Sequence, residues 1–114
     1  MIKPTNISDM RHRLELEQPQ RTSLSGGGVS VTWVKLADLW ASITPMKMRE
    51  HFTRHQVNSE ITHSITIRYR ADVRPEMRLV KGTRVFEIIS VLNEQERNRW
   101  LQLECSEQVP ESAI

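Results

Sequence analysis

The sequence predicts an all-β fold: a small antiparallel β-barrel of about six strands, with one short inserted helix and long flexible loops. Apolar and polar residues alternate in short runs, most regularly over 62–70, where Ile65, Ile67 and Tyr69 interleave with Thr66, Arg68 and Arg70. Turn-forming residues separate those runs, among them Pro19, the triplet Gly26, Gly27 and Gly28, Pro45, Pro75 and Gly82. No period repeats along the chain, which excludes solenoids and propellers. The 114 residues read as one domain, with 1–10 and 108–114 as loosely held tails.

The first strand is expected over 11–18, with His12, Leu14 and Leu16 on one side and Arg13, Glu15 and Glu17 on the other, ending at Pro19. The Ser, Thr and Gly run that follows has no apolar face to bury and reads as a flexible loop. A second strand spans 29–44. Val29, Val31 and Trp33 are in step, as are Leu39, Ala41 and Ile43, but Lys35 to Asp38 disturb the alternation between them. One strand with a bulge explains the break, and two strands meeting at a corner is the alternative. Beyond Pro45, helix-forming residues with a broken apolar stripe predict a short helix from Lys47 to Gln56.

A third strand is placed at 62–70, and Asp72 and Pro75 mark a turn. Strands at 77–81 and 84–92 form a hairpin around Lys81 and Gly82. The second of these is apolar on both faces, with Val85, Ile89 and Val91 against Phe86, Ile88 and Leu92, so cover on both sides is expected. The last strand, 99–106, directs Leu101, Leu103 and Cys105 inward.

Hydrophobic residues are 38% of the chain and aromatics 5%, so the core is expected to be aliphatic, anchored by Trp33, Trp40, Tyr69, Phe86 and Trp100. A net charge of +2 is too small for the field of an autonomous nucleic-acid binder. The single cysteine, Cys105, excludes an intramolecular disulfide, and no segment has the apolar length of a signal peptide or a membrane span. These features fit a soluble protein made in a reducing compartment.

Several patterns resemble chemistry without completing it. His51 and His55 share a helical face, but Phe52 stands where a zincin places its glutamate. The glycine triplet leads into a strand and lacks the lysine of a phosphate loop. No serine lies in an elbow-like turn, and Cys105 faces inward as a small hydrophobe. No catalytic residue, metal ligand or cofactor site is assigned. Arg68, Arg70, Arg74, Arg78 and Arg84 fall within seventeen residues, interleaved with Asp72 and Glu76. They are either an exposed face with local salt bridges or a patch that meets acidic groups on a partner or DNA phosphates.

In order and at matching separations, Trp40-Ala41, Arg49-Glu50, the strand Ile67-Arg68-Tyr69-Arg70, Met77-Arg78, Gly82 with Phe86 and Ile88, and the alternation of Leu101, Leu103 and Cys105 resemble the head-tail adaptor, or head-closure, family of long-tailed double-stranded DNA bacteriophages. The resemblance covers 11–107 and departs from the family pattern at Lys47 and Met48. It implies a structural protein without enzymatic activity or cofactors, assembled in the bacterial cytoplasm into a ring of six or twelve copies in the connector of the virion. That ring would close the portal channel after DNA packaging and receive the tail. The implied partners are the portal or adaptor ring and tail proteins, with transient contact to packaged DNA and none to membrane. Arg68, Arg70, Arg74 and Arg78 are the candidate partner- or DNA-facing residues, and Arg49, Glu50, His51 and Phe52 the candidate docking segment. A small barrel that binds nucleic acid directly is the alternative function.

Overall fold

The computed structural model describes residues 10–46 and 61–108. Six strands make up the fold: β1 (His12–Ser23), β2 (Val29–Pro45), β3 (His63–Arg68), β4 (Arg78–Lys81), β5 (Arg84–Asn93) and β6 (Trp100–Gln108), with a short 3-10 turn at Glu94–Glu96 before β6. They close into a barrel in the order β1-β2-β3-β6-β5-β4, and every neighbouring pair whose register is defined is antiparallel. The helix expected from Lys47 to Gln56 lies outside the described residues, as does the segment Arg49, Glu50, His51 and Phe52.

The interior is filled by alternate residues of each strand. Leu14 and Leu16 of β1, Ala41 of β2, Ile65 and Ile67 of β3, Leu79 of β4, Phe86 and Ile88 of β5, and Leu101, Leu103 and Cys105 of β6 form one buried cluster. Val73 and Met77, from the loop between β3 and β4, add to it. Closing the sheet leaves the barrel wall itself without an open edge, and the inward aliphatics are thereby removed from water.

Two bulges set which side chains face in. In β2, Leu16 pairs with Ala37 but Glu17 pairs with Lys35, so Leu36 is the extra residue, within the stretch where the alternation was disturbed. In β5, Ile88 pairs with Cys105 and Ser90 with Glu104, so Ile89 is extra. The second bulge corrects the expectation of a strand covered on both faces. The inward face runs Phe86, Ile88, then Val91, because parity changes at Ile89, and Leu92 is left exposed.

The aromatic anchors need a similar correction. Phe86 is fully buried, but Trp40 is 57% exposed and Trp33 and Tyr69 are each 37% exposed. Leu39, Ala41 and Ile43 take the inward positions of β2, which turns Trp40 outward. The bulge at Leu36 places Trp33 on the outer face as well, and Tyr69 lies just past the end of β3. Trp100 is out of phase with Leu101, Leu103 and Cys105 and sits half-buried on the wall.

Pro19 does not end β1. It pairs with Trp33, and the strand continues to Ser23, so the segment expected as a loop is largely one side of a hairpin. β1 has its second neighbour, β4, only over Glu15 to Glu17, and Pro19 lies beyond it at an open edge, where a missing N–H is tolerated. The connection is a tight turn in which Gly27 N–H donates to Leu24 O at 3.1 Å. Gly27 and Gly28 have φ of +90° and +87°, a region that strongly favours glycine.

Candidate functional site: an exposed arm and an aromatic recess

The long hairpin extends past the barrel wall. β2 meets β3 only from Ala41 onward, and β1 meets β4 only up to Glu17, so among the described residues Gln18 to Ser23 and Val29 to Val34 form a two-stranded arm paired only within itself. Its register sorts the side chains. Pro19, Trp33, Arg21, Val31, Ser23 and Val29 share one face, and Gln18, Val34, Gln20, Thr32, Thr22 and Ser30 the other. The first face carries an apolar stripe in which Val29 is 57% and Val31 48% exposed, and Leu24 at the tip is also exposed.

At the base of the arm Arg78 holds Trp33 in place. Its guanidinium carbon is 4.1 Å from the centre of the indole, and its Nε donates to Glu17 Oε1 at 2.7 Å. Arg21 reaches Glu76 at 3.9 Å across the same side.

A recess of about 420 Å³ opens between the middle of β2 and the end of β3, lined by Met10, Asp38, Leu39, Trp40, Arg68, Tyr69 and Arg70. The structure thus brings Arg68, Tyr69, Arg70 and Trp40 together, places Arg78 separately at the base of the arm, and leaves Arg74 exposed in the loop before β4. Arg70 is committed within the chain, donating from Nε and Nη2 to the two carboxylate oxygens of Asp72 at 3.0 and 2.8 Å. That hydrogen-bonded pair holds the Asp72 carboxyl below the usual carboxylate range and raises the Arg70 guanidinium. Arg84 pairs in the same forked way with Glu107, lowering that carboxyl. Arg68 differs. It rests over Trp100 at 5.4 Å, and among the described residues no carboxylate lies within ion-pair distance.

Groups with chemical potential elsewhere are tied into the structure. Burial pushes the Cys105 thiol up to about 12, which keeps it protonated. Ser90 Oγ donates to Glu104 Oε1 at 2.6 Å. His63 packs its ring edge-on to Phe86 with centroids 5.2 Å apart, and desolvation lowers its pKa despite Glu107 at 3.8 Å. Among the described residues no group of three or more His, Cys, Asp or Glu is arranged to hold a metal ion. The exposed and concave features are apolar and aromatic, with arginine at their margins, a combination suited to contact with another macromolecule.

Sequence reasoning did not find the arm stripe or the recess partners Met10, Asp38 and Leu39. The phase of Leu39, Ala41 and Ile43 did carry a signal, since it forces Trp40 out.

The family model described as phage head completion protein matches residues 5–108. The solution structure of protein SF1141 from Shigella flexneri 2a is similar with a TM-score of 0.74 and 25% identity, covering 94% of this chain and 100% of that one. A chain in the virion of a native gene transfer agent particle shares the fold with a TM-score of 0.65 and 22% identity, covering 88% of this chain and 96% of that one. No curated protein matches the sequence.

Proposed function

Because this chain belongs to the phage head completion protein family, we propose that it is a structural component of the head-to-tail connector, closing the portal channel after DNA packaging and giving the tail a surface to dock on. The observation that carries this reading is the family match over 5–108, which spans all six strands of the barrel. A closed barrel with an aliphatic core makes a stiff body, and stiffness suits a part that must resist the outward push of packaged DNA. The arm and the recess give that body surfaces for neighbouring copies in a ring, and the portal or adaptor ring and tail proteins are its other partners. Its work is mechanical, with no enzymatic step.

The test is assembly of particles without the protein. Heads that fill with DNA, lose it on purification and remain tailless are expected, and adding the purified chain before that loss should let them keep their DNA and join tails. Heads that keep their DNA and join tails without it would refute the proposal.

Arg68, which has no carboxylate partner among the described residues, favours a second reading in which the barrel binds nucleic acid directly. That reading requires binding to short duplexes that weakens steeply with salt. The connector role does not. With Arg70, Arg78 and Arg84 already engaged by carboxylates, the first reading is the stronger.

A further inference from the structure

We infer that the apolar face of the arm of one copy docks into the Trp40 and Tyr69 recess of a second copy of this chain, so that the contact repeats head to tail. The inference rests on the proposed connector role, in which several copies stand side by side.

The exposed apolar surface of the described residues is not scattered. Of the eight large hydrophobics that stand exposed, Leu24, Val29, Val31, Trp33 and Val34 belong to the arm, and Trp40 and Tyr69 belong to the recess. Only Leu92 lies elsewhere. Two unlike apolar surfaces on one chain, one projecting and one concave, are what a heterologous contact requires, and such contacts form a ring when the rotation between copies closes.

The arm cannot satisfy itself. A two-stranded hairpin is at best marginally stable in water without a third strand or a packed face, and here no strand among the described residues pairs with either outer edge of the arm beyond the barrel wall. Residues 18–34 contain one charged side chain, Arg21, so the arm brings little charge to desolvate, and of the charged groups lining the recess Asp38 is paired with Arg13 and Lys35, Arg70 with Asp72, and Arg68 rests on Trp100.

The area involved decides how strong such a contact is. From their exposures, Leu24, Val29, Val31, Trp33, Trp40 and Tyr69 together offer about 600 Å² of apolar surface. Non-obligate interfaces are about 57% apolar, so the full contact would bury about 1,000 Å². That is near the lower limit for a specific interface. Copies held side by side on a larger ring would associate through it, whereas a dilute solution of the free chain would not. A partner other than a second copy would cover only one of the two surfaces.

The experiment is a cysteine cross-link between copies. Val31→Cys on the arm and Trp40→Cys at the recess are made in separate chains, mixed, and assembled into particles. A short bis-maleimide is then applied at neutral pH, where buried Cys105 stays unreacted. The expected result is a linked pair joining position 31 of one chain to position 40 of another, and a ladder of higher multiples when one chain carries both changes. Tyr69→Cys replaces Trp40→Cys if the latter does not fold.

Links between two arms alone would overturn the inference, because they mean that arms pair with arms. Links from the arm to a different virion protein, or none at all, in particles that contain the chain would also overturn it. Absence of the chain from particles counts instead against the connector role, so the two failures are distinguishable.

Discussion

Truncating two aromatics tests whether the barrel is anchored from inside or from its wall. Phe86 is fully buried, with the edge of His63 and the guanidinium of Arg84 against its ring at 5.2 and 4.8 Å. Phe86→Ala removes about 200 Å² of buried surface, worth about 5 kcal/mol at roughly 25 cal/mol per Å². Some collapse of the site brings the expected loss to about 3–5 kcal/mol. Trp40, at 57% exposed, keeps a little under half of its surface from water, and Trp40→Ala should cost only about 2 kcal/mol. A domain of this size is stable by about 5–15 kcal/mol, so the first change removes a large share and the second a small one. Urea unfolding followed by fluorescence of the remaining tryptophans reads both, with the midpoint falling and the slope unchanged if unfolding stays two-state. A Trp40→Ala loss equal to that of Phe86→Ala would refute the assignment of Phe86 as interior anchor and Trp40 as contact residue.

Three further outcomes are expected. Gly27→Ala should lower the thermal midpoint by the equivalent of about 1 kcal/mol, because its φ of +90° disfavours a side chain while no atom lies within 4 Å to clash with one; an unchanged midpoint would count against the turn. Stability should decline as pH falls below the ordinary histidine value of 6.5, because desolvation lowers the His63 pKa in the fold and the unfolded chain then binds the extra proton. A second decline should follow below about 4.5, where Glu107 loses the benefit of Arg84, and His63→Gln should reduce only the first, the remainder of which comes from His12, also lowered by desolvation, as read by denaturant midpoints across pH. The purified chain should sediment as a monomer at micromolar concentration, and a stable ring under those conditions would contradict the area reckoned for the contact between copies.

Much of the barrel was legible because a half-buried strand writes its inward face at every second residue. Leu14 with Leu16, Ile65 with Ile67, and Leu101, Leu103 and Cys105 all stand in sequence as they stand in the core. The bulge at Leu36 was legible too, since Lys35 and Asp38, flanking the apolar pair Leu36 and Ala37, expose the change of phase. The bulge at Ile89 was not, because Val85 to Leu92 are almost all apolar and a shift of one residue leaves no mark. The arm was hidden by Pro19 and the glycine triplet, which signal the end of a strand unless an open edge makes proline tolerable. The tryptophans misled for a different reason. Aromatic size predicts burial within a domain and burial at a contact between domains equally well, and only the phase of the surrounding aliphatics separates the two. For that reason the recess around Trp40, Arg68 and Tyr69 became visible only once strand ends were fixed in space.

The order in which strands pair differs from the order in which they are synthesised, and this bears on how the chain reaches its fold. Arg78 and Glu17, which join β4 to β1, are 61 residues apart, and β6, the last strand made, lies between β3 and β5. Until β6 emerges from the ribosome, the earlier strands can form at most an open sheet ordered β3-β2-β1-β4-β5, with Ile65 and Ile67 near one free edge and Phe86 and Ile88 near the other. Such edges are templates for pairing with other chains, and closing them requires contacts far apart along the polypeptide, which form slowly. A chain interrupted before Trp100 would therefore lack the wedge that seals the barrel and would present two aliphatic borders to every neighbouring nascent copy. Pairing of β6, more than any earlier step, is what withdraws those two borders from neighbouring chains.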